Sequence, residues 1–232
     1  MDKEIAVIMA AGLGSRMLPL TENTPKPLIQ IHGVSMIETV IRGLRRRKIE
    51  DIFIVVGYLK EQFLPLCQKY PGIVLIENKE YATRNNIASV YAARNVMRGN
   101  NCFICEADLY VKEPAVFSGE LPQSCYFAKL CPGYTEDWIF ETDETLRIRR
   151  IHTGGTDKYK MAGISYFTKA DADKIADAIE RAYEAGGYEN CFWDEIVDRQ
   201  LTDLDLVIYP IEESAILEID TERELEEVQR AL

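Results

Sequence analysis

Short apolar runs closed by turn residues alternate with helix-spaced segments through the first half of the chain, and this alternation is its tightest constraint on folding. Ile5-Ala6-Val7-Ile8-Met9-Ala10 reads as a buried strand running into Gly12. Ser35 can cap a helix reaching Lys48, in which Ile37, Val40, Ile41 and Leu44 recur at helical spacing. Asp51 to Val56 is a second strand, ended by Gly57. Lys60 to Tyr70 is a helix closed by Pro71-Gly72, and Ile73 to Ile76 a third strand. Asn86 to Met97 is a helix ended by Gly99. Asn101 to Cys105 is a fourth strand, followed by Glu106-Ala107-Asp108. The rhythm predicts an α/β, Rossmann-like single domain: a mixed, mainly parallel sheet flanked by helices.

The rhythm changes after residue 120. Ser124 to Lys129, Trp138 to Glu141, Leu146 to Ile151 and Gly163 to Phe167 read as short strands joined by turns. Helices follow at Ala170 to Ala185 and Phe192 to Gln200. Strands at Leu206 to Tyr209 and Ile216 to Ile219 precede a last helix from Thr221. We expect one domain over 1–232, with about 1–120 as one half and about 121–232 as a β-rich lobe built onto the same sheet.

The formal net charge of −11 argues against nucleic acid or an anionic membrane as partner. No apolar run approaches the roughly 18 residues of a membrane span, and the start is too acidic for a signal peptide, so a cytoplasmic protein is expected. The basic run Arg45 to Lys48 reads as the dipole-favoured end of a helix. Cys102 and Cys105 have metal-like spacing, but residues i and i+3 of a strand face opposite ways, so they are expected to be ordinary buried thiols.

The chemistry is concentrated in the stretch AAGLGSRMLPLTENTPKPL, Ala10 to Leu28, directly after the first strand. Met17 stands where a dinucleotide-binding loop needs its third glycine, and no lysine–serine or lysine–threonine pair makes a P-loop. What remains is Gly12-Leu13-Gly14-Ser15-Arg16, then Pro25-Lys26-Pro27 with its lysine ten positions after the arginine. Small residues let backbone N–H groups approach phosphate oxygens. Arg16 offers a fork, Lys26 a point charge, and the flanking prolines stiffen the lysine's placement. The loop reads as a triphosphate cradle.

These residues resemble the nucleotidyltransferase family that joins a nucleoside triphosphate to a phosphorylated small molecule, with its A-x-G-x-G-x-R loop and following P-K-P. The resemblance runs to Glu218-Ile219-Asp220-Thr221. It is nearest to the bacterial CTP:phosphocholine cytidylyltransferases through Val56 to Phe63, Asn85-Asn86 with Ser89, Thr135 to Trp138, and Trp193-Asp194. It implies the nucleotidyltransferase fold and in-line attack of phosphocholine on the α-phosphorus of CTP, giving CDP-choline and pyrophosphate. Lys26 and Arg16 would be catalytic. Ala10, Ala11, Gly12, Leu13, Gly14 and Ser15, with Asn86 and Ser89, would bind the nucleotide. Asp108 and Asp220 would hold Mg2+. Trp138, Trp193, Phe192 and Tyr166 would form aromatic walls for a quaternary ammonium, with Asp194 and Glu218 supplying charge.

Each assignment has a plainer competitor. Asp108 suits a turn, Asp220 and Asn86 suit helix caps, and the aromatics suit a core. The acceptor can instead be a sugar 1-phosphate or 2-aminoethylphosphonate, and a non-catalytic nucleotide-binding module is the remaining alternative. A homo-oligomer or a fusion to a kinase domain is compatible with the resemblance.

Overall fold

The computed structural model describes residues 3–232. Besides a small antiparallel pair, Gln30–Ile31 with Val34–Ser35, its strands are β1 (Glu4–Ala10), β2 (Asp51–Val56), β3 (Ile73–Glu77), β4 (Asn101–Glu106), β5 (Leu109–Val111), β6 (Cys125–Thr142), β7 (Ile148–Phe167), β8 (Val207–Pro210) and β9 (Ile216–Glu218). Seven of them form one sheet in the order β8-β6-β7-β4-β1-β2-β3. β1 runs parallel to β2 and β4, β2 parallel to β3, and β6 parallel to β8. Only β7 opposes its neighbours, β4 and β6. The mixed, mainly parallel sheet flanked by helices is the one the alternation implies.

Helices α1 (Met36–Arg46) and α2 (Leu64–Lys69) cover one face. Helices α3 (Ile87–Met97), α4 (Lys169–Ala185) and α5 (Trp193–Arg199) cover the other. A last helix, α6 (Glu222–Ala231), follows β9. Burial on both faces explains why β1 is apolar throughout rather than alternating. Ile5, Val7 and Met9 meet the α3–α5 layer, while Ala6, Ile8 and Ala10 meet the α1–α2 layer. Cys102 and Cys105 likewise fall in different layers, both buried thiols pushed well above the usual range by desolvation.

Two expectations are corrected. The segment Lys60 to Tyr70 opens with a 3-10 turn, Lys60–Phe63, and only Leu64–Lys69 is α-helical. Pro65 lacks an N–H and belongs in a first turn, not a helix interior. The four short strands expected between 124 and 167 are two long ones, β6 and β7, joined as a ribbon. Gly133 and Gly154 take left-handed backbone, at φ 79° and 78°, where the register shifts. The ribbon folds back, so that Ile139 and Phe140 pair with both 151–152 and 159–160.

One pairing was not visible in the sequence. β5 pairs antiparallel with β9, matching Leu109 to Glu218 and Val111 to Ile216, and the Ile219 N–H donates to the Asp108 carbonyl at 3.2 Å. This small sheet carries the end of the chain to the carboxyl edge of β4.

Gly43 lies on the buried side of α1, where an added Cβ would overlap the Phe117 ring, itself fully buried. Gly43→Ala should therefore destabilise the fold by about 1–3 kcal/mol through overpacking, outweighing the ~1 kcal/mol helix-propensity gain. A denaturant titration checks this; equal or greater stability would contradict the packing described.

Candidate active site

β2 lies on one side of β1 and β4 on the other, so the strand order reverses between β1 and β4. Open α/β sheets bind ligands at the carboxyl ends of strands at such a reversal. A pocket of about 400 Å³ opens there, in the size range of small-molecule sites. One wall is the loop after β1, contributing Gly12, Gly14, Ser15, Arg16 and Lys26. The opposite wall is Asn78, Tyr81, Arg84, Asn86 and Ser89, and Glu106 and Asp108 close the end at β4.

The loop is held by local chemistry. Gly14 has φ 65° and ψ 30°, left-handed backbone. A Cβ there would stand 3.0 Å from both Lys26 Cβ and Thr21 Cγ2, so glycine also allows the loop to close on the lysine. Thr21 Oγ1 donates to the Gly14 carbonyl at 2.9 Å. Lys26 begins a 3-10 turn with Pro27 behind it, and is only 7% exposed. Ala10 and Ala11 also line the pocket, but the Leu13 side chain is exposed and is not part of the wall.

Four predicted residues meet at one point. Lys26 Nζ donates to Asp108 Oδ2 at 2.7 Å and to Asp220 Oδ1 at 2.6 Å, while Arg16 Nη1 donates to Asp220 Oδ2 at 2.6 Å. Burial disfavours the Lys26 charge, but Asp108 and Asp220 outweigh it and hold its pKa above the usual value. Asp220 does not cap α6. Thr221 does so, accepting from the Glu224 N–H, while the backbone N–H groups of Asp220 and Thr221 donate to Glu224 Oε2. That leaves the Asp220 carboxylate free for the site. Asp108, Glu218 and Asp220 each place a carboxylate oxygen within 4.8 Å of the others. Asp108 Oδ1 is buried with no hydrogen-bond partner. An oxygen-only cluster with an orphaned buried acceptor fits a hard divalent cation.

A second acidic group lies deeper. Glu106 is pushed well above the usual carboxylate range by burial first, then by the like charges of Asp108, Asp194 and Glu218. Asp194 is 3% exposed, and burial pushes it up to about 7 against the opposing hydrogen bond from Tyr126, whose hydroxyl donates at 3.0 Å. Glu218, at the rim of the acidic cluster, is raised by desolvation and then by Asp108 and Asp220. The site thus gathers more carboxylates than its own cations neutralise.

The predicted aromatic walls separate. Trp193 is buried on Tyr126 and Phe167 behind Glu106, and its Nε1 is buried without a partner. Trp138 packs against Phe192, ring centres 5.4 Å apart, beside a separate depression lined by Arg150, His152, Glu195 and Asp198. Tyr166 corrects the expectation outright. It is buried against Phe103 on the α1 face of the sheet, within the core layer opposite Trp193. Strand alternation puts it there, since its neighbours Ser165 and Phe167 point the other way.

Asn86 does not cap α3 with its side chain. Its Oδ1 instead accepts the Trp193 N–H at 3.0 Å, tying the pocket wall to the first turn of α5. Ser89 Oγ accepts from Asn78 Nδ2 at 3.1 Å. Sequence reasoning missed Glu106, Tyr126 and Arg84. Glu106 carried a usable signal: it is the one charged member of the face Cys102, Ile104, Glu106 of an otherwise apolar strand.

Together the glycine loop, its two cations and the facing carboxylates define a nucleotidyltransferase. Residues 6–121 match the MobA-like NTP transferase domain. The chain is 48% identical, over 97% of its length and 91% of the relative's, to the 2-aminoethylphosphonate cytidylyltransferase of Lancefieldella rimae. It is 35% identical, over 96% and 97%, to the choline-phosphate cytidylyltransferase of Streptococcus pneumoniae. A solved CTP:phosphocholine cytidylyltransferase from that organism superposes with a TM-score of 0.91 at 33% identity, covering 99% of each chain. The chain belongs to the MobA-like NTP transferase family. Among the described residues no helix is long and apolar enough to cross a membrane.

Asp194 gives a pH test. Its folded pKa of about 7 lies above the ordinary 3.8, so the folded state holds the proton more tightly and gains stability as pH falls from 7 towards 4. Asp194→Asn should remove that dependence. Its melting temperature relative to the native chain should rise by roughly 2–8 °C between pH 5 and pH 8, the shift of ~1–2 kcal/mol in a domain of this size. A difference independent of pH would contradict the burial assigned.

Proposed function

We propose that this chain transfers the cytidylyl group of CTP to 2-aminoethylphosphonate, forming CMP-aminoethylphosphonate and pyrophosphate. The observation that carries the acceptor is the carboxyl pair of half-buried Glu106 and buried Asp194, which among the described residues no lysine or arginine meets in a salt bridge, Lys26 being engaged by Asp108 and Asp220 instead. A primary ammonium donates three hydrogen bonds and brings the missing positive charge. The 48% identical relative bearing that activity's name supports the same reading.

A phosphonate oxygen of the acceptor attacks the α-phosphorus, and the bond to pyrophosphate breaks in line with it. Both partners are anions, so positioning and charge neutralisation dominate. Arg16 grips the β- and γ-phosphates, and backbone N–H groups from Ala11 to Ser15 line the triphosphate. Lys26 contacts the α-phosphate and the incoming oxygen. Asn86 and Ser89 stand at the nucleoside, and Glu106, Asp194 and Glu218 face the ammonium. Asp108 and Asp220 would hold Mg2+, which would supply positive charge against the phosphates.

Phosphocholine is the second reading, favoured by the Trp138–Phe192 contact and the 0.91 superposition. A quaternary ammonium cannot donate to buried carboxylates. Glu106, unlike Asp194 with its Tyr126 hydroxyl, would then lack a donor, which costs about 1–3 kcal/mol, or roughly 5- to 150-fold. Pyrophosphate release with CTP should therefore be at least ~5-fold more efficient for 2-aminoethylphosphonate than for phosphocholine. Glu106→Gln should raise the acceptor's KM with little effect on that of CTP. A preference for phosphocholine would replace the acceptor assignment. Lys26→Ala should lower kcat by roughly 10²–10³-fold with the fold intact; near-native turnover would remove its catalytic role.

A further inference from the structure

The two carboxylates assigned to the metal are already bridged by a cation of the protein. Lys26 Nζ stands 2.7 Å from Asp108 Oδ2 and 2.6 Å from Asp220 Oδ1, charge-assisted distances to both groups at once. Arg16 engages the second oxygen of Asp220 at 2.6 Å. The base of the lysine is fixed, buried, flanked by two prolines and packed with its Cβ under Gly14, so only the end of its stem can turn toward another anion. A divalent ion binds such oxygens at roughly 2.0–2.1 Å. Ion and ammonium therefore compete for the same lone pairs.

We infer that Lys26 is an internal counter-ion seated in the divalent-cation site, keeping Asp108 and Asp220 closed to free metal until a nucleotide's phosphates draw the ammonium away. The inference rests on the assignment of Asp108 and Asp220 as metal ligands. Without nucleotide, a metal entering the cluster takes both hydrogen-bonded carboxylates from the buried ammonium, which is costly. With nucleotide, the triphosphate supplies that counter-charge and both exchanges proceed together. The two affinities are then linked, each raising the other by the same factor. One lysine thus ties metal loading to the arrival of the substrate that needs it.

The test is Mn2+ binding to the full chain, read by electron paramagnetic resonance of the free ion, with no turnover involved. Without nucleotide, Lys26→Met should bind Mn2+ at least ~10-fold more tightly than the native chain, and adding Asp108→Asn should abolish the gain. Arg84→Met is the field control, since Arg84 lines the same pocket but pairs with Glu80 rather than with the metal carboxylates. It should change Mn2+ affinity less than ~3-fold, because a charge outside the cluster acts only through a screened field. A non-hydrolysable CTP analogue should tighten Mn2+ binding to the native chain by at least ~10-fold.

Equal or weaker binding by Lys26→Met, or an equal gain in Arg84→Met, would overturn the counter-ion role. If Mn2+ stays unbound by the native chain even with the CTP analogue, the metal assignment itself fails. If it binds with the analogue but Lys26→Met shows no gain, only the counter-ion role fails. Lys26→Gln, which keeps a donor but no charge, makes the same comparison should the methionine variant not fold.

Discussion

Leu109 pairs with Glu218, Tyr110 with Leu217 and Val111 with Ile216, and these backbone contacts hold the site together. Asp108 lies just before the first of these short strands, and Asp220 lies two residues after the second. Their pairing brings a carboxylate from mid-chain and another from near the end onto one lysine. Loop, β4 edge and chain end are far apart in sequence. The site exists only in the folded protein.

Electrostatics then divides the pocket. On a chain of net charge −11, the phosphate loop carries Lys26 and Arg16, and both pair with acids, Lys26 buried and Arg16 exposed. Deeper in, half-buried Glu106 and buried Asp194 meet no described lysine or arginine in a salt bridge. A ligand that is anionic at one end and cationic at the other matches this division, each end meeting the charge it lacks.

Much of the fold was legible. The apolar runs ending at glycine placed all four parallel strands of the first half, because buried parallel strands leave no polar alternation to confuse the reading. The loop's placement at the pocket was legible through Gly14, Arg16 and Lys26, which each answer a separate physical demand, but Leu13, expected in the wall, is exposed. The ribbon was not: its four strand-like pieces are two strands bent at Gly133 and Gly154, and glycine between apolar stretches reads equally as a turn or a bend. Tyr166 and Trp138 could not be placed either, because aromatic residues near acids look alike in a core and in a binding wall until strand facing is known. The Asp108–Asp220 meeting was expected from resemblance alone, as the β5–β9 pairing that produces it leaves only a few residues of pattern on each side.

The hydrogen bond from the Trp193 N–H to Asn86 Oδ1 joins the start of α5 to the start of α3. Asn85 strengthens the same seam, its N–H donating to the Glu189 carbonyl at 2.8 Å and its side-chain amide donating to the Asn190 carbonyl at 3.2 Å. The wall beside Ser89 and the helix carrying Asp194 are therefore stitched along one line rather than hinged separately. A shift of the first turn of α5 is passed to the first turn of α3, and so to the pocket wall that Asn86 and Ser89 line.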